Sequence, residues 1–413
     1  MLTGRRFQVQ LTDEQVEYAE RIAGVCRAVW NIGLEQRRTY RQRGAWINYR
    51  EQAGELAEAK AEHAWLAEAP GHCLQQTLMD LDKACRQHGA FGVRWRASRR
   101  WRPSFRFPEG KKIVVEQLNR HHARVKLPRL GWVRFRLSRR LEGAVIRSAT
   151  LTRDGTHWCV SFLVDDGHQT PATHALPRTA VGVDRGVEVA IATSDGSLAD
   201  RDFLTGGERS RALRLQRRLS RSAKDSHNRV KCRAALGAIR ARERHRRHDF
   251  CAYTAHRLTT NNELVVIEAL KTKQMTRSAK GTLEAPGSNV RAKSGLNRAI
   301  LAKGWHQFAL ALSSAARYSG TRVVTVPAQY TSQRCSACGQ VDPKSRESQS
   351  VFRCTYCSHT EHADVNAAKC ILAAGLAVTA CEDTTRPSGQ DVSSKQEPAG
   401  NREQLLLQPP TAA

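Results

Sequence analysis

With 413 residues, 67 Lys and Arg against 39 Asp and Glu, and a formal net charge of +28, the chain is long enough for two or three domains, and its dominant long-range force is attraction to polyanions. The charge is spread along the sequence rather than held in a tail, so nucleic acid is the expected partner, although ribosomal and membrane-surface proteins share such a balance. No run of 18 or more apolar residues is read, so neither a transmembrane helix nor a membrane partner is expected, and twelve cysteines without a secretion signal fit a reducing cytoplasm.

Residues 5–10 alternate as a strand does, and Thr12 with Gln15 forms a capping-box pattern ahead of a helix. Val16, Ala19, Ile22, Ala23, Cys26, Val29 and Trp30 then recur at helical spacing as far as Arg43, where Gly44 stops the run; this stripe reads as core. A second helical region, 51–86, is interrupted at Pro70 and Gly71. From 91 to 140 the composition turns strongly basic, with Arg94, Arg96, Arg102 and Arg106 among many cations, and Trp95, Trp101, Phe105 and Phe107 threaded between them. Cations for phosphate and rings for bases suit single-stranded or structured nucleic acid. The bland alternative is a solvated basic surface with its rings turned inward.

Short strands at 123–126, 132–137, 145–152 and 158–164, parted by turns at Gly131, Gly143 and Asp154-Gly155, read as a small antiparallel sheet or barrel. A Pro-containing linker follows, with Pro171 and Pro177. A different architecture then begins. An apolar run at 180–183 ends in Asp184, and a second at 264–267 ends in Glu268; between them a long Arg-rich region, 208–261, reads as two helices broken near 220–227. Residues 271–296 read as a mobile loop, 300–318 as one amphipathic helix and 323–326 as a strand. The tail is rich in Pro, Gly, Ser, Gln and Glu and is expected to be disordered.

Two C-x-x-C pairs, Cys335 with Cys338 and Cys354 with Cys357, lie fifteen residues apart. That spacing falls in the window for a tetrahedral four-cysteine zinc site, and Gly339 stands where a knuckle needs positive φ. Seven residues past the last cysteine, Asp364 opens an apolar helix. Asp184, Glu268 and Asp364 are each unremarkable alone. Two stand at ends of buried strands, where a lone carboxylate is costly, and strands alternating with helices form a layer whose strand ends can converge. Three converged carboxylates repel unless divalent cations join them, and hard oxygen ligands favour Mg²⁺ or Mn²⁺. Two such ions, about 3.5–4 Å apart, activate a water and stabilise the leaving oxygen in phosphodiester hydrolysis.

The segments VGVDRGVEVAIATSDG, LVVIEALKTKQM, YTSQRCSACG and FRCTYCSHTEHADVNAAKCIL resemble the RuvC-type motifs and zinc ribbon of the TnpB (OrfB) family, transposon-encoded proteins related to type V CRISPR effectors. The segments LTDEQVEYAERIAGVCRAVWNIGLE and LPRLGWVRFRLSRRLEG resemble that family's N-terminal helical and wedge segments, so the resemblance spans roughly residues 5–375. It implies an α/β chain with a RuvC-like RNase H fold (179–330 and 362–378) and an inserted four-cysteine zinc ribbon (331–361). Ahead of these it implies a small β-barrel wedge (1–10 and 91–170), an α-helical recognition module (11–90) and a linker (171–178), with a disordered tail at 379–413. It also implies an RNA-guided DNA endonuclease of a transposable element whose partners are a guide RNA from the transposon end and double-stranded target DNA. Asp184, Glu268 and Asp364 match the three catalytic, metal-holding acids, and Cys335, Cys338, Cys354 and Cys357 the zinc ligands; the basic stretch with Trp101, and the Arg-rich helices with Arg217 and Arg218, would hold nucleic acid. Where many relatives carry Gly after the last cysteine and Arg before the third acid, this chain has Ser358 and Ala363.

Other readings stand beside this one: a guide-dependent DNA-binding protein or transposition regulator with little or no cleavage, and a transposase-associated accessory protein. The first usually lacks an acid, and all three are here; a strand-transferring transposase would need a His-hydrophobe-His motif with a Tyr helix, and none is read. A non-catalytic zinc protein that binds RNA would explain the charge but not the acids at strand ends.

Overall fold

Alternation buries Phe7 and Val9 of β1 (Leu2–Gln10) in the computed structural model, which describes residues 1–384 apart from Arg99, Arg140 and Glu142. Thr12 then starts α1 (Asp13–Gln42) with both halves of the capping box: Gln15 N donates to Thr12 Oγ1 at 3.3 Å, and Thr12 N to Gln15 Oε1 at 3.2 Å. The expected stripe is core, with Ala19, Ile22, Ala23, Cys26, Val29 and Trp30 buried. Pro70, which has no N–H to lose, ends the run of α2 (Tyr49–Glu62) and α3 (Ala64–Ala67) and caps α4 (Gly71–His88).

The strands β2 (Ser104–Phe107), β3 (Val114–Asn119), β4 (His122–Leu127), β5 (Gly131–Arg136), β6 (Val145–Asp154) and β7 (His157–Asp165) join β1 in a seven-stranded sheet of order β2-β6-β7-β1-β5-β4-β3. Every junction is antiparallel. Phe7, Phe135 and Phe162 pack ring against ring at 5.1–5.9 Å in its core. That core is continuous with the buried faces of α1 and α4, so the expected β domain and helical module share one hydrophobic interior.

The chain continues through β8 (Ala180–Asp184), β9 (Ile191–Thr193), β10 (Leu198–Ala199), α5 (Gly206–Arg221), α6 (His227–Asn261), β11 (Leu264–Glu268), α7 (Thr272–Met275), α8 (Val290–Lys303), α9 (Trp305–Ser319), β12 (Arg322–Val326), β13 (Val351–Arg353), β14 (Thr360–His362) and α10 (Ala363–Thr384). Two expectations change here. The loop read at 271–296 contains α7 and gives way to α8 at Val290, and the single helix read at 300–318 is α8 followed by α9. Gly304 makes the break: its φ is +76°, and a Cβ there would come within 2.8 Å of the Arg247 side chain, which donates to the Ala302 carbonyl at 3.2 Å. The apolar periodicity runs across this glycine and conceals it.

Compactness groups Met1–Thr179, Ala199–Glu263 and Thr272–Arg322 into one unit and Ala180–Leu198, Leu264–Lys271 and the described residues from Val323 onward into another. This grouping differs from the boundaries expected at 179–330, because α6 and α9 are tied to the N-terminal sheet. Arg244 reaches Asp154 at 2.7 Å, and the Tyr318 hydroxyl donates to Asp166 at 2.8 Å.

The second unit is a five-stranded sheet of order β10-β9-β8-β11-β12 with α10 laid across it. Gly182 of β8 permits the approach: a Cβ there would lie 2.1 Å from the Ala368 carbonyl oxygen. α10 runs past the expected start of the tail at 379, and the rest of that tail lies outside the described residues. Ala363–Cys381 is long and apolar enough to cross a membrane by length and composition, although Asp364, Asn366 and Lys369 interrupt its apolar run; the apolar face is explained by packing on the sheet, with 44% of the stretch buried.

Candidate functional site

Parallel pairing brings the first two acids together. Val183 of β8 stands opposite Ile267 of β11, so Asp184 and Glu268 follow side by side at the carboxyl ends of neighbouring strands, which lie about 4.8 Å apart. Parallel strands need a long crossover, and here β9, β10, α5 and α6 intervene; ligands of open α/β sheets bind outside such carboxyl ends. Asp364 enters from the first turn of α10, with its Oδ2 3.5 Å from where a Cβ on Gly186 would stand, in the loop leaving β8. A side chain at Gly186 would clash with the Val189 carbonyl oxygen, 2.5 Å from that Cβ position, while only touching the carboxylate.

The acids feel one another. Burial pushes the Asp184 carboxyl up to about 7, and the charges of Glu268 and Asp364 add to the push, against the Arg185 N–H and the Arg346 guanidinium. Burial also raises Glu268, opposed by the hydrogen bond from Thr331 Oγ1 to its Oε1 at 2.6 Å and by Arg185. Arg346 Nη2 donates to Asp364 Oδ1 at 2.9 Å. Buried Arg185 donates through Nη2 to the Glu268 carbonyl oxygen, so the cation braces the strand end that carries the acid.

Three neighbours of the acids escape sequence reasoning. Thr331 lies within the YTSQRC motif, where it reads as part of the zinc knuckle; Arg185 follows Asp184 and reads as one more cation; Arg346 lies in a polar loop that gives no signal at all.

Among the described residues, the only group of three or more His, Cys, Asp or Glu whose ligand atoms all lie within 4.8 Å of one another is Cys335, Cys338, Cys354 and Cys357, and it could hold a metal ion. The three carboxylates are more openly spaced than that. Each cysteine pair sits on a tight turn: Gly339 N donates to the Cys335 carbonyl at 3.0 Å with φ +79°, and Ser358 N to the Cys354 carbonyl at 3.1 Å with φ +57°. Ser358 thus adopts the left-handed conformation that a glycine takes without strain, and the knuckle closes all the same. Tyr356 N and Cys357 N point at Cys354 Sγ at 3.4 and 3.5 Å, chief among the contacts that bring its thiol down to about 6. Asn366, fully buried two residues past Asp364, donates to the Arg334 carbonyl at 2.7 Å and accepts from Ser336 N at 2.9 Å. One turn of α10 therefore carries an acid and clamps the first knuckle.

The basic candidates divide. Phe105 and Phe107 are buried core, which is the bland alternative realised for those two rings. The Arg96 guanidinium lies 3.8 Å over the Trp30 ring and 5.2 Å from that of Trp101; burial lowers its pKa to about 10. Arg102 and Arg106 are exposed and lie 4.0 Å from Asp154 and 3.6 Å from Asp80. Arg94, Arg217 and Arg218 are exposed, the last two on α5, which buries none of its described residues.

Comparison with known proteins matches three stretches of the chain to family profiles. The Cas12f1-like TNB domain profile matches residues 305–371, the IS605-type OrfB profile, described as "Probable transposase", residues 161–279, and the OrfB helix-turn-helix profile residues 1–45. In this chain that last segment is one strand and one long helix. A protein of Escherichia coli (strain K12) named "Putative RNA-guided DNA endonuclease InsQ" is 37% identical over 400 residues, covering 95% of this chain and 96% of that protein. A "Putative RNA-guided DNA endonuclease" of Streptomyces pristinaespiralis is 31% identical over 405 residues, 95% of each. The structure described as "Cryo-EM structure of the Cas12f1-sgRNA-target DNA complex" superposes with a TM-score of 0.54 at 13% identity, covering 87% of this chain and 83% of that one, a likeness of fold.

Proposed function

Because this chain belongs to the TnpB (OrfB) family, we propose that it is an RNA-guided DNA endonuclease of a transposable element, hydrolysing phosphodiester bonds at Asp184, Glu268 and Asp364 once guide RNA has paired with double-stranded target DNA. The observation that carries this is the parallel register that sets Asp184 beside Glu268, with Asp364 near enough to help push the Asp184 carboxyl up to about 7. A buried carboxyl held that high is poised to exchange its proton for a cation.

The donors fit magnesium or manganese: three carboxylates, with neither sulfur nor imidazole. Such ions would supply a Lewis acid that activates the attacking water and neutralises charge on the leaving 3′ oxygen. The chain's own groups set the stage for this. Thr331 fixes one oxygen of Glu268 and leaves the other open; Arg346 turns Asp364 by one oxygen in the same way. Arg185 neutralises part of the converged charge without occupying either carboxylate of the strand pair.

The cysteine cluster fits structural zinc. Zn–S bonds of about 2.3 Å at the centre of a tetrahedron put the sulfurs about 3.8 Å apart. Cys335 to Cys357 is 3.7 Å and Cys338 to Cys354 3.6 Å. The organisation proposed is the family's: wedge (1–10 and 91–170), recognition module (11–90), nuclease body (179–330 and 362–378) and ribbon (331–361), acting in the bacterial cytoplasm on nucleoid DNA. Guide pairing would supply sequence specificity, while the protein reads a short flanking motif.

The test is cleavage by the purified protein with its copurified RNA, on DNA matching that RNA, with and without Mg²⁺. Cutting that requires both the matching guide and the metal supports the reading; cutting that persists in chelator rejects it.

A further inference from the structure

The last turns of α1 end in a surface that the nuclease reading does not use. Trp46 is 74% exposed and Trp95 42%, with Phe91 exposed beside it. A guanidinium backs each indole: Arg41 lies 3.5 Å over the Trp46 ring and Arg38 4.6 Å over that of Trp95. Arg38 and Arg41 are three residues apart on one helix and so are neighbours on its surface.

Neither indole is exposed because its loop is loose. Ile47, next to Trp46, is buried, and Ala45 N donates to the Tyr40 carbonyl at 2.9 Å, so the turn is anchored with Trp46 outward. On the other side Arg38 donates to the carbonyls of Ala90 at 3.2 Å and Val93 at 2.8 Å, with Val93 buried. The same arginine pins the loop and supports its ring. Leaving a large aromatic in water forgoes the stabilisation its burial would bring.

We infer that Trp46 and Trp95, each backed by an arginine, form a stacking platform for unpaired nucleobases of a single-stranded nucleic acid. A ring with one face on a guanidinium and the other in water offers a flat π surface that a base can cover, completing an arginine–indole–base sandwich. Charge selects the occupant: with +28 on the chain and guanidinium groups at the platform, a polyanion that carries flat rings is complementary in both respects. The inference does not rest on the acids, and its failure is separable from theirs.

The test uses the full chain and three fluorescein-labelled probes at fixed salt: a short oligouridylate, the matching oligothymidylate and a DNA duplex. Trp46→Ala and Trp95→Ala are each expected to weaken single-strand binding by ~10-fold, which is about 1.4 kcal/mol per stacked base. Trp→Phe at either site should retain most of the affinity, duplex binding should hold, and the salt dependence should not change because no cation is removed. A larger loss on oligouridylate assigns the platform to RNA, and a larger loss on oligothymidylate to a displaced DNA strand. Asp184→Ala should bind all three probes as the parent does. Unchanged single-strand binding in the Trp46→Ala/Trp95→Ala double variant, or parallel loss on the duplex, would overturn the inference. Both rings are exposed, so circular dichroism should match the parent.

Discussion

A carboxyl pushed up to about 7 makes Asp184 a liability whenever no cation is bound. Its ordinary value is near 3.8, so the folded chain holds a proton that the unfolded chain releases, and stability of the metal-free protein falls as pH rises from about 4 to about 7. Asp184→Asn removes that penalty. Thermal unfolding in chelator should show the variant more stable than the parent at pH 8 and equal to it at pH 4, with added Mg²⁺ closing the gap at pH 8 by stabilising the parent. Equal stability at both pH values would mean that Asp184 is not held protonated by its neighbours. Arg346 belongs to the same scale. It grips one Asp364 oxygen, so Arg346→Ala should slow single-turnover cleavage by ~10–100-fold, as loss of a partner behind a metal ligand does, and raise the Mg²⁺ needed, with RNA binding unchanged. Restoration by Arg346→Lys to the full rate would argue that charge alone matters and the planar donor does not. Asp184 and Glu268 were legible as candidates, because a carboxylate closing an apolar run is conspicuous, and Asp364 because it heads an apolar helix just past the second knuckle. Arg346 was not, because one cation in a polar loop of a cationic protein carries no contrast.

Between residues and molecule, the packing of α10 on β8 is a tightly constrained contact. Gly182 faces backbone, not a movable side chain: a Cβ would meet the Ala368 oxygen at 2.1 Å and the Leu372 nitrogen at 2.7 Å. Gly182→Ala must force helix and sheet apart, costing at the upper end of the roughly 1–3 kcal/mol typical of overpacking, and cleavage should fall with stability because Asp364 rides on the displaced helix. A variant with parental melting temperature and rate would show that α10 is not seated as described. The other element-scale joint is Asp154, at the β6–β7 turn. Burial pushes its carboxyl up, but Arg244, Arg6 and Arg102 pull it below the usual value. That stability is present above pH ~4 and lost as pH falls through the lowered value. Asp154→Asn should therefore be less stable than the parent at pH 7, by a margin that shrinks as pH falls below about 4; a constant difference would assign the effect to packing. Strands, the capping box and both knuckles were readable from local pattern. The α8–α9 break was not, because Gly304 interrupts an apolar period without altering it, and the length of α10 was not, because small residues such as Ala373, Ala374 and Gly375 hide its hydrophobicity.

For the molecule as a whole, charge and site make separate contributions. The +28 charge accounts for affinity to any polyanion and predicts that RNA retention falls steeply with salt; it says nothing about cutting. Long-range pairings were the least legible feature: α6 and α9 lie far along the sequence yet join the N-terminal sheet through Asp154 and Asp166, ties that no local pattern announces. What makes the chain a nuclease, on this account, is the meeting of Asp184, Glu268 and Asp364. The most direct measurement is guide-dependent cleavage by the purified ribonucleoprotein in Mg²⁺, parent against Asp184→Ala. The account predicts that the parent cuts matched DNA while the variant retains RNA and target binding and does not cut; a variant that cuts at the parent's rate would contradict it.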